Sequence, residues 1–388
     1  MNTISPVFSQ VMERIHREQF RRCVMLHGGD HRVRRLSCRE QFLCMSFAQM
    51  TFRDSLRDIE SCLNARPELR YHMGFRNRIA RSTLADANES REFRIYADLG
   101  QKLIAKARKL YAGEELELDL TNAAYALDST TVTVSLGLFP WARFKKGMAG
   151  VKVHTQLDLR GSIPVFVDIT AQRVHDMNFL DRITPEPDAI YIMDRAYKGL
   201  ARLHRFHQNG AFFVVRAFKT LDFARSRSLP KTDPRVRSDH LGHPRNFRPR
   251  RLFPDLLRKI RFVDPERGIE LAFLTNLITA NASDIARLYK YRWQIELFFK
   301  WIKQNLRIRR FFGNSLNAVQ TQIWIAICVY VLVAIIRKEL HLDLSLHRIL
   351  QILSVTPFEK VPLTQLLTQK DTINADAESH NQLSFKDF

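Results

Sequence analysis

The segment Tyr289–Lys303, YKYRWQIELFFKWIK, constrains this chain more than any other stretch. Placed on a helix at about 100° per residue, Tyr289, Arg292, Glu296 and Lys303 fall within a sector of roughly 60° and form one polar stripe along about four turns. Leu288, Ile295, Phe299, Ile302 and Leu306 share the adjoining face, so one side can be buried while an acid, two cations and a phenol point together elsewhere. A carboxylate can hold a divalent ion and an arginine can grip a phosphate through two parallel hydrogen bonds. A lysine adds a point charge, and a tyrosine adds a hydrogen bond or a stacking surface. The same spacing also suits ordinary ion pairs on a solvated face, Arg292 with Glu296 and Glu296 with Lys300.

The chain of 388 residues is long enough for two or three domains with their own cores. Lys and Arg outnumber Asp and Glu by 61 to 40, a formal charge of +21, which is the balance of a protein that meets a polyanion. Such a surface releases counterions on binding a phosphate backbone, giving fast and salt-sensitive association. Cys23, Cys38, Cys44, Cys62 and Cys328 are odd in number and sit in apolar or helical surroundings, as reduced thiols of a cytoplasmic protein do. Cys23, His27 and His31 have metal-like spacing, yet Gly28 and Gly29 break any helix there, and a loop is the better reading. The first residues, MNTISPVFSQ, lack the basic start and apolar run of a signal peptide. The apolar run Ile323–Ile336 is short for a bilayer and reads as a buried core helix, so no membrane partner is expected.

Residues 1–115 read as helical, with segments near Gln41–Met50 and Phe52–Leu63 and a helix from Thr83 to Tyr96 capped by Ser82. Arg76, Arg78, Arg81, Arg91 and Arg94 around Gly74 fit a helix-turn-helix-like DNA reader or a packing domain with solvated arginines. From Ala124 the period changes. Tyr125–Val132 is apolar and β-branched and turns polar at Asp128; Val151–Leu159 and Ile163–Ala171 form a hairpin; Ala189–Met193 is an apolar strand that delivers Asp194. A helix near Met177–Ile183, another at Leu200–Gln208 and a strand from Ala211 to Phe218 complete the set. Three strands, a helix, a strand, a helix and a strand is the order of an RNase H-like α/β core, here spanning 116–218. Residues 219–276 read as a β-rich insertion. It holds an Arg-, Pro-, Ser- and His-rich loop at Arg225–Arg251 and a hairpin pairing Ile260 and Phe262 with Ile269, Leu271 and Phe273. Residues 277–345 return to the core through a helix capped by Ser283 that carries Glu296, followed by a long helix at Val319–Leu340. In the last segment, 346–388, the tail from about Lys370 lacks periodicity and reads as disordered.

The order Tyr, two residues, Arg, three residues, Glu, six residues, Lys resembles the YREK signature of the insertion-sequence-four family of DDE transposases. Asp128-Ser129-Thr130 and Asp194-Arg195-Ala196-Tyr197 resemble that family's first two acidic motifs. YHMGF and RSTLADANESREFRIY resemble the N-terminal domain of one of its branches, so the likeness covers roughly Met1 to Leu306. The resemblance implies a catalytic triad of Asp128, Asp194 and Glu296, with Tyr289, Arg292 and Lys303 on DNA. Two divalent ions about 4 Å apart, Mg²⁺ or Mn²⁺, could activate the attacking oxygen and stabilise the leaving 3′ oxygen, and three carboxylates suffice to hold them. The expected partners are double-stranded DNA, as terminal inverted repeats and target, and a second copy of the chain on that DNA. Relatives that form a hairpin intermediate hold a flipped base on an aromatic residue of the insertion. Phe247, Phe253 and Phe262 are open alternatives for it. Rival readings are a nuclease of the same fold without strand transfer and a basic DNA-binding protein whose acids are structural.

Overall fold

Ile190–Met193, four apolar residues without interruption, is what the centre of a parallel sheet demands, and this strand lies fully buried between two parallel neighbours. A computed structural model of the chain describes residues 4–116, 118, 121–145, 148–217, 221–305 and 311–368. Among them the core strands are β1 (Ala124–Val134), β2 (Arg143–Lys145), β3 (Met148–Asp158), β4 (Ile163–Ala171), β5 (Ile190–Met193) and β6 (Phe212–Arg216). Helices α8 (Met177–Leu180) and α9 (Leu200–Gln208) lie between β4 and β6, preceded by seven helices numbered below. β4, β3 and β1 are successive antiparallel neighbours, and β1, β5 and β6 run parallel, so the RNase H-like order expected from the sequence is the observed one. The β3–β4 turn falls at Arg160-Gly161-Ser162 as expected. Gly161, at φ +74°, has no room for a Cβ because Tyr111 packs against it.

The insertion does not stand apart. β7 (Phe223–Ser228), β8 (Val236–Pro244), β9 (Leu257–Val263) and β10 (Glu270–Thr275) continue the core sheet through an antiparallel β10–β6 pair. The expected hairpin is β9–β10. The expected loop at Arg225–Arg251 is instead largely regular, with β7, β8 and the short helix α10 (Phe247–Leu252). The reason is position: β7 is the outermost strand at that end of the sheet, where Arg225 and Arg227 face solvent and discourage further pairing, so its sequence lacks apolar alternation. Arg258 on β9 is buried in a bidentate pair with Asp239 on β8 and also donates to the carbonyls of Leu277, Ile278 and Ala280. That arginine fastens the insertion to the segment leading into the next helix.

α1 (Val7–Met12), α2 (Arg17–Leu26), α3 (Cys38–Met50), α4 (Leu56–Asn64), α5 (Pro67–Arg70), α6 (Arg81–Ser90) and α7 (Arg94–Tyr111) precede the sheet. The expected helix Thr83–Tyr96 is two helices, and its N-cap is Ala80, not Ser82. Arg91 breaks it, because its guanidinium turns inward to the buried Gln41 and to the carbonyl of Leu36, a tertiary demand invisible to local spacing. After the sheet come α11 (Ala282–Tyr291), α12 (Trp293–Asn305), α13 (Leu316–Glu339), α14 (Leu346–Val355) and α15 (Leu363–Thr368). Helix α13 exceeds the apolar run that marks it. At 24 residues it is long and apolar enough to cross a membrane, but 94% of its apolar window is buried inside the protein, against α7, α3 and α6. Gly100 of α7 meets Trp324 of α13 so closely that a Cβ would lie 3.0 Å from the indole. All of the leading helices except the short, exposed α5 therefore share one apolar core with α13. Segment 357–361 hydrogen-bonds back to α1. The tail beyond 368 and Leu306 lie outside the described residues.

Candidate active site

Asp128 is the first residue of β1 to leave a run of four fully buried positions. Leu127 pairs with Met193 in the parallel β1–β5 register, so Asp128 and Asp194 come next on neighbouring strands, about 4.8 Å apart across the ladder. At the end of β5 the Asp194 carboxylate accepts the Ala196 N–H at 2.7 Å and starts the single turn Arg195–Tyr197. Asp194 is thus a capping residue as well as a site acid.

The polar stripe exists but not on one unbroken helix. α11 ends at Tyr291, Arg292 stands between, and α12 carries Glu296. Arg292 N–H bonds to Tyr289 and Ile295 N–H to Arg292, both over three residues, so the backbone tightens locally instead of unwinding. The N-cap of α11 is Asn281; Ser283, expected there, uses its hydroxyl on Asp233 instead. On α12, Ile295, Phe298, Phe299 and Ile302 are buried, as the greasy stripe requires.

Arg292 joins the elements. Its guanidinium lies 3.1 Å from Asp128 and 2.5 Å from Glu296, with its centre 5.6 Å from the Tyr289 ring. Its Nε is buried without a partner. Burial pushes the Asp128 carboxyl up to about 6; Asp194 and Glu296 add to the rise, and the Ser129 N–H and Arg292 oppose it. Tyr289 packs on Phe273 of β10, and burial raises its phenol. Asp128, Asp194, Glu296, Arg292 and Tyr289 are thus brought into one electrostatic neighbourhood, while Lys303 sits partly buried two turns along α12.

A second set of residues supports the first from the opposite face of β1. Ser129 Oγ donates to Asp176 at 2.5 Å, and the Lys152 ammonium donates to the same oxygen at 3.1 Å. His154, cross-strand from Ser129, stacks on Phe179 and bonds Thr170, and burial holds its imidazole down to about 4. Lys152 and His154 fall in the strand expected at Val151–Leu159, and Ser129 in the motif that follows Asp128, but nothing in the sequence points to Asp176 as their partner. The β1–β3 register brings Ser129, Lys152 and His154 together and Asp176 reaches them from the start of α8, which no spacing in the chain announces.

Three carboxylates with no thiol or imidazole among them are the hard-oxygen donor set that Mg²⁺ or Mn²⁺ prefers. A buried acid raised by two acidic neighbours is where a cation gains most, so the chemistry of Asp128, Asp194 and Glu296 fits a divalent ion. Among the described residues no three acids, histidines or cysteines close into a ready cage, because Arg292 already stands between Asp128 and Glu296. Cys23 lies on α2, not in the expected loop, which begins at His27; among the described residues Cys23, His27 and His31 form no metal cluster, and His27 pairs with Asp98.

Residues 121–332 match the family model for the transposase DDE domain, more than half of the chain. The chain belongs to the DDE transposases. Residues 3–76 match a domain of unknown function. A Geobacillus stearothermophilus protein named as a transposase for insertion sequence element IS5377 is 31% identical over 53% of this chain and 54% of its own length. A Sinorhizobium fredii protein named as transposase y4zB is 30% identical over 71% of this chain and 77% of its own. The chain thus spans about half of the first relative and about three quarters of the second. A solved piggyBac transposase synaptic complex with hairpin DNA aligns over 96% of this chain and 84% of that one, at 10% identity and a TM-score of 0.45. The DDE domain runs from just before β1 into α13, so it encloses all three acids and the entire insertion.

Proposed function

We propose that this transposase is of the insertion-sequence-four type, cuts the terminal inverted repeats of its element and joins the freed 3′ ends to target DNA, acting in the cytoplasm as a dimer that holds two ends. The observation that carries this reading is that one half-buried guanidinium, Arg292, pairs with both Asp128 of β1 and Glu296 of α12, with Asp194 at the end of β5 close enough to raise Asp128. Asp128, Asp194 and Glu296 would hold two divalent ions, which when bound supply an activated oxygen nucleophile and offset charge on the departing 3′ oxygen. Arg292 would release Asp128 and grip a phosphate beside the scissile bond, with its planar fork suited to two oxygens. Tyr289 would support Arg292 and the backbone of the DNA end, and Lys303 would add a point charge along the same helix. Of the three aromatics open for a flipped base, Phe253 and Phe262 are buried and Phe247 is 78% exposed on α10, beside Arg248, Arg250 and Arg251. Phe247 is therefore the residue we assign to that role. Segments 1–115, 116–218, 219–276, 277–345 and 346–388 would divide the work as DNA-binding helices, core, insertion, core and C-terminal segment.

The test is single-turnover incubation of a labelled element end with a target plasmid and Mg²⁺. A joined end–target product is the expected result. Nicking without joining would reduce the reading to a nuclease of the same fold, and end binding without nicking would reduce it to a non-catalytic DNA-binding protein.

A further inference from the structure

Outside the candidate catalytic centre and the arginines of α10, the described residues include a strongly cationic surface that its own acids do not neutralise. It is made of two segments far apart in sequence. In the first, Arg32, Arg34 and Arg35 are exposed on the turn between α2 and α3; in the second, Arg76, Arg78 and Arg81 are exposed between α5 and α6. The two segments touch where the Asn77 side chain donates to the Arg35 carbonyl at 3.5 Å. Each segment is pinned from below: Leu36 and Cys38 are buried under one, and Met73, Phe75 and Ile79 under the other.

One buried carboxylate ties the two together. Glu40, 2% exposed, accepts the N–H and hydroxyl of Ser37 at 2.8 Å each, and the N–H of Arg76 at 3.0 Å. It also pairs with the Arg76 guanidinium at 3.2 Å. Glu40 therefore spends its charge on holding the two turns in register. Asp30, the other acid nearby, accepts the Cys38 N–H. Among the described residues, Arg32, Arg34, Arg35, Arg78 and Arg81 have no carboxylate partner. Five guanidinium groups without carboxylate partners stand on turns locked by a buried acid and form a cationic plate whose backbone is already ordered before binding.

We propose that this plate, Arg32, Arg34, Arg35, Arg78 and Arg81 held by Glu40, is a duplex-DNA backbone site of the chain, separate from the three acids. The proposal rests on the reading of the chain as a DNA-cutting transposase and deepens it by giving the region of unknown function a surface and a ligand, the phosphates of a double helix. Arginine forks match paired phosphate oxygens, and five guanidinium groups without carboxylate partners fit a phosphate backbone better than a protein groove.

The experiment uses the full chain and fluorescence anisotropy with two labelled duplexes, an element end and a scrambled sequence, across a KCl series. In the variant Arg34→Ala/Arg35→Ala/Arg78→Ala, the slope of log affinity against log salt should fall by about two to three, near 0.9 per lost phosphate contact. Affinity should fall on both duplexes alike, since backbone contacts carry no sequence. Glu40→Gln retains every arginine and should weaken binding several-fold at an unchanged slope. Arginine-directed labelling of the wild-type chain provides a readout that needs no variant: bound duplex should protect Arg34, Arg35 and Arg78. An unchanged slope in the triple variant, or equal labelling with and without DNA, overturns the plate while leaving the catalytic reading intact. Loss of binding to anionic vesicles with duplex binding retained also overturns it. A wild-type chain that binds neither duplex at any salt concentration overturns the underlying reading as well.

Discussion

Arg292 lies one helical turn before Glu296, yet its guanidinium reaches Asp128 on β1 at 3.1 Å, across 164 positions of sequence. The arginine thus neutralises from within a site whose acids would otherwise repel one another. Without it, the buried Asp128 and the nearby Glu296 share no cation. Arg292→Ala should destabilise the chain in EDTA by about 1–3 kcal/mol, a partly exposed version of breaking a buried pair. Mg²⁺ should then stabilise the variant more than the wild type. Thermal melts in EDTA and in Mg²⁺ test this, and equal metal-induced shifts would refute the internal-counterion role. Arg292→Lys should recover the EDTA melt in part but not DNA-end positioning, because a point charge replaces a fork.

Asp128→Asn, Asp194→Asn and Glu296→Gln should each abolish single-turnover cleavage while keeping end affinity within a few-fold. The three act as one unit, so double variants should cleave no more slowly than single ones. Asp194 has a second duty at the Ala196 N–H, which the amide oxygen of Asn can still accept, so the Asn variant keeps that turn. A single variant with near-normal rate in Mg²⁺ would remove its residue from the triad.

His154 gives the chain a pH dependence that is independent of catalysis. Burial holds the folded imidazole near 4, whereas the unfolded chain titrates at the ordinary value of about 6.5. Between these values the unfolded state binds a proton that the folded state does not, so stability falls as pH falls from 6.5 to 4, by up to about 3 kcal/mol. Below pH 4 the loss is complete. Asp176, 3.7 Å away, opposes this shift, and Lys152 and Arg182 add to it. In His154→Asn the denaturation free energy should vary less across that window; urea titrations at half-unit steps would reveal a parallel curve if the assignment were wrong.

The Arg258–Asp239 pair is the most deeply buried ion pair described here, with side chains 4% and 1% exposed. Asp239→Asn leaves a buried guanidinium without its counterion and should cost about 3–5 kcal/mol. The loss should appear first as deuterium exchange across β8, β9 and the segment leading into α11. Exchange confined to β7 would mean the pair does not fasten the insertion.

The places of Asp128 and Asp194 were legible because each follows a run that only a buried strand can satisfy, Tyr125–Leu127 and Ile190–Met193. The greasy face of α12 was legible because its period survives the tightening at Arg292. Long-range partners were not. Arg91 ends a helix for the sake of Gln41 and Leu36, Ser129 meets Asp176 through a strand register, and β7 forms at a solvated edge whose side chains carry no alternation. Arg292 could be placed on the right stripe from sequence, but its contact with Asp128 depends on how α12 lies across β1. Glu40 reads locally as half of a capping box, and its hold on Arg76 appears only in three dimensions.

The burial of α13 against α3, α6 and α7 sets an order of events in time. While the chain is being made, the last of the first seven helices emerges about two hundred residues before α13, which their core is built around. Such distant pairing is slow, and until it happens the apolar faces of α3 and α7 are open to chaperones or to aggregation. A nascent chain or a truncated product ending before Leu316 would therefore present unfinished helices, and the arginine plate on them would come into register only as synthesis nears its end. Competence to hold DNA would then be withheld until α13 has left the ribosome, next to the message that encodes it.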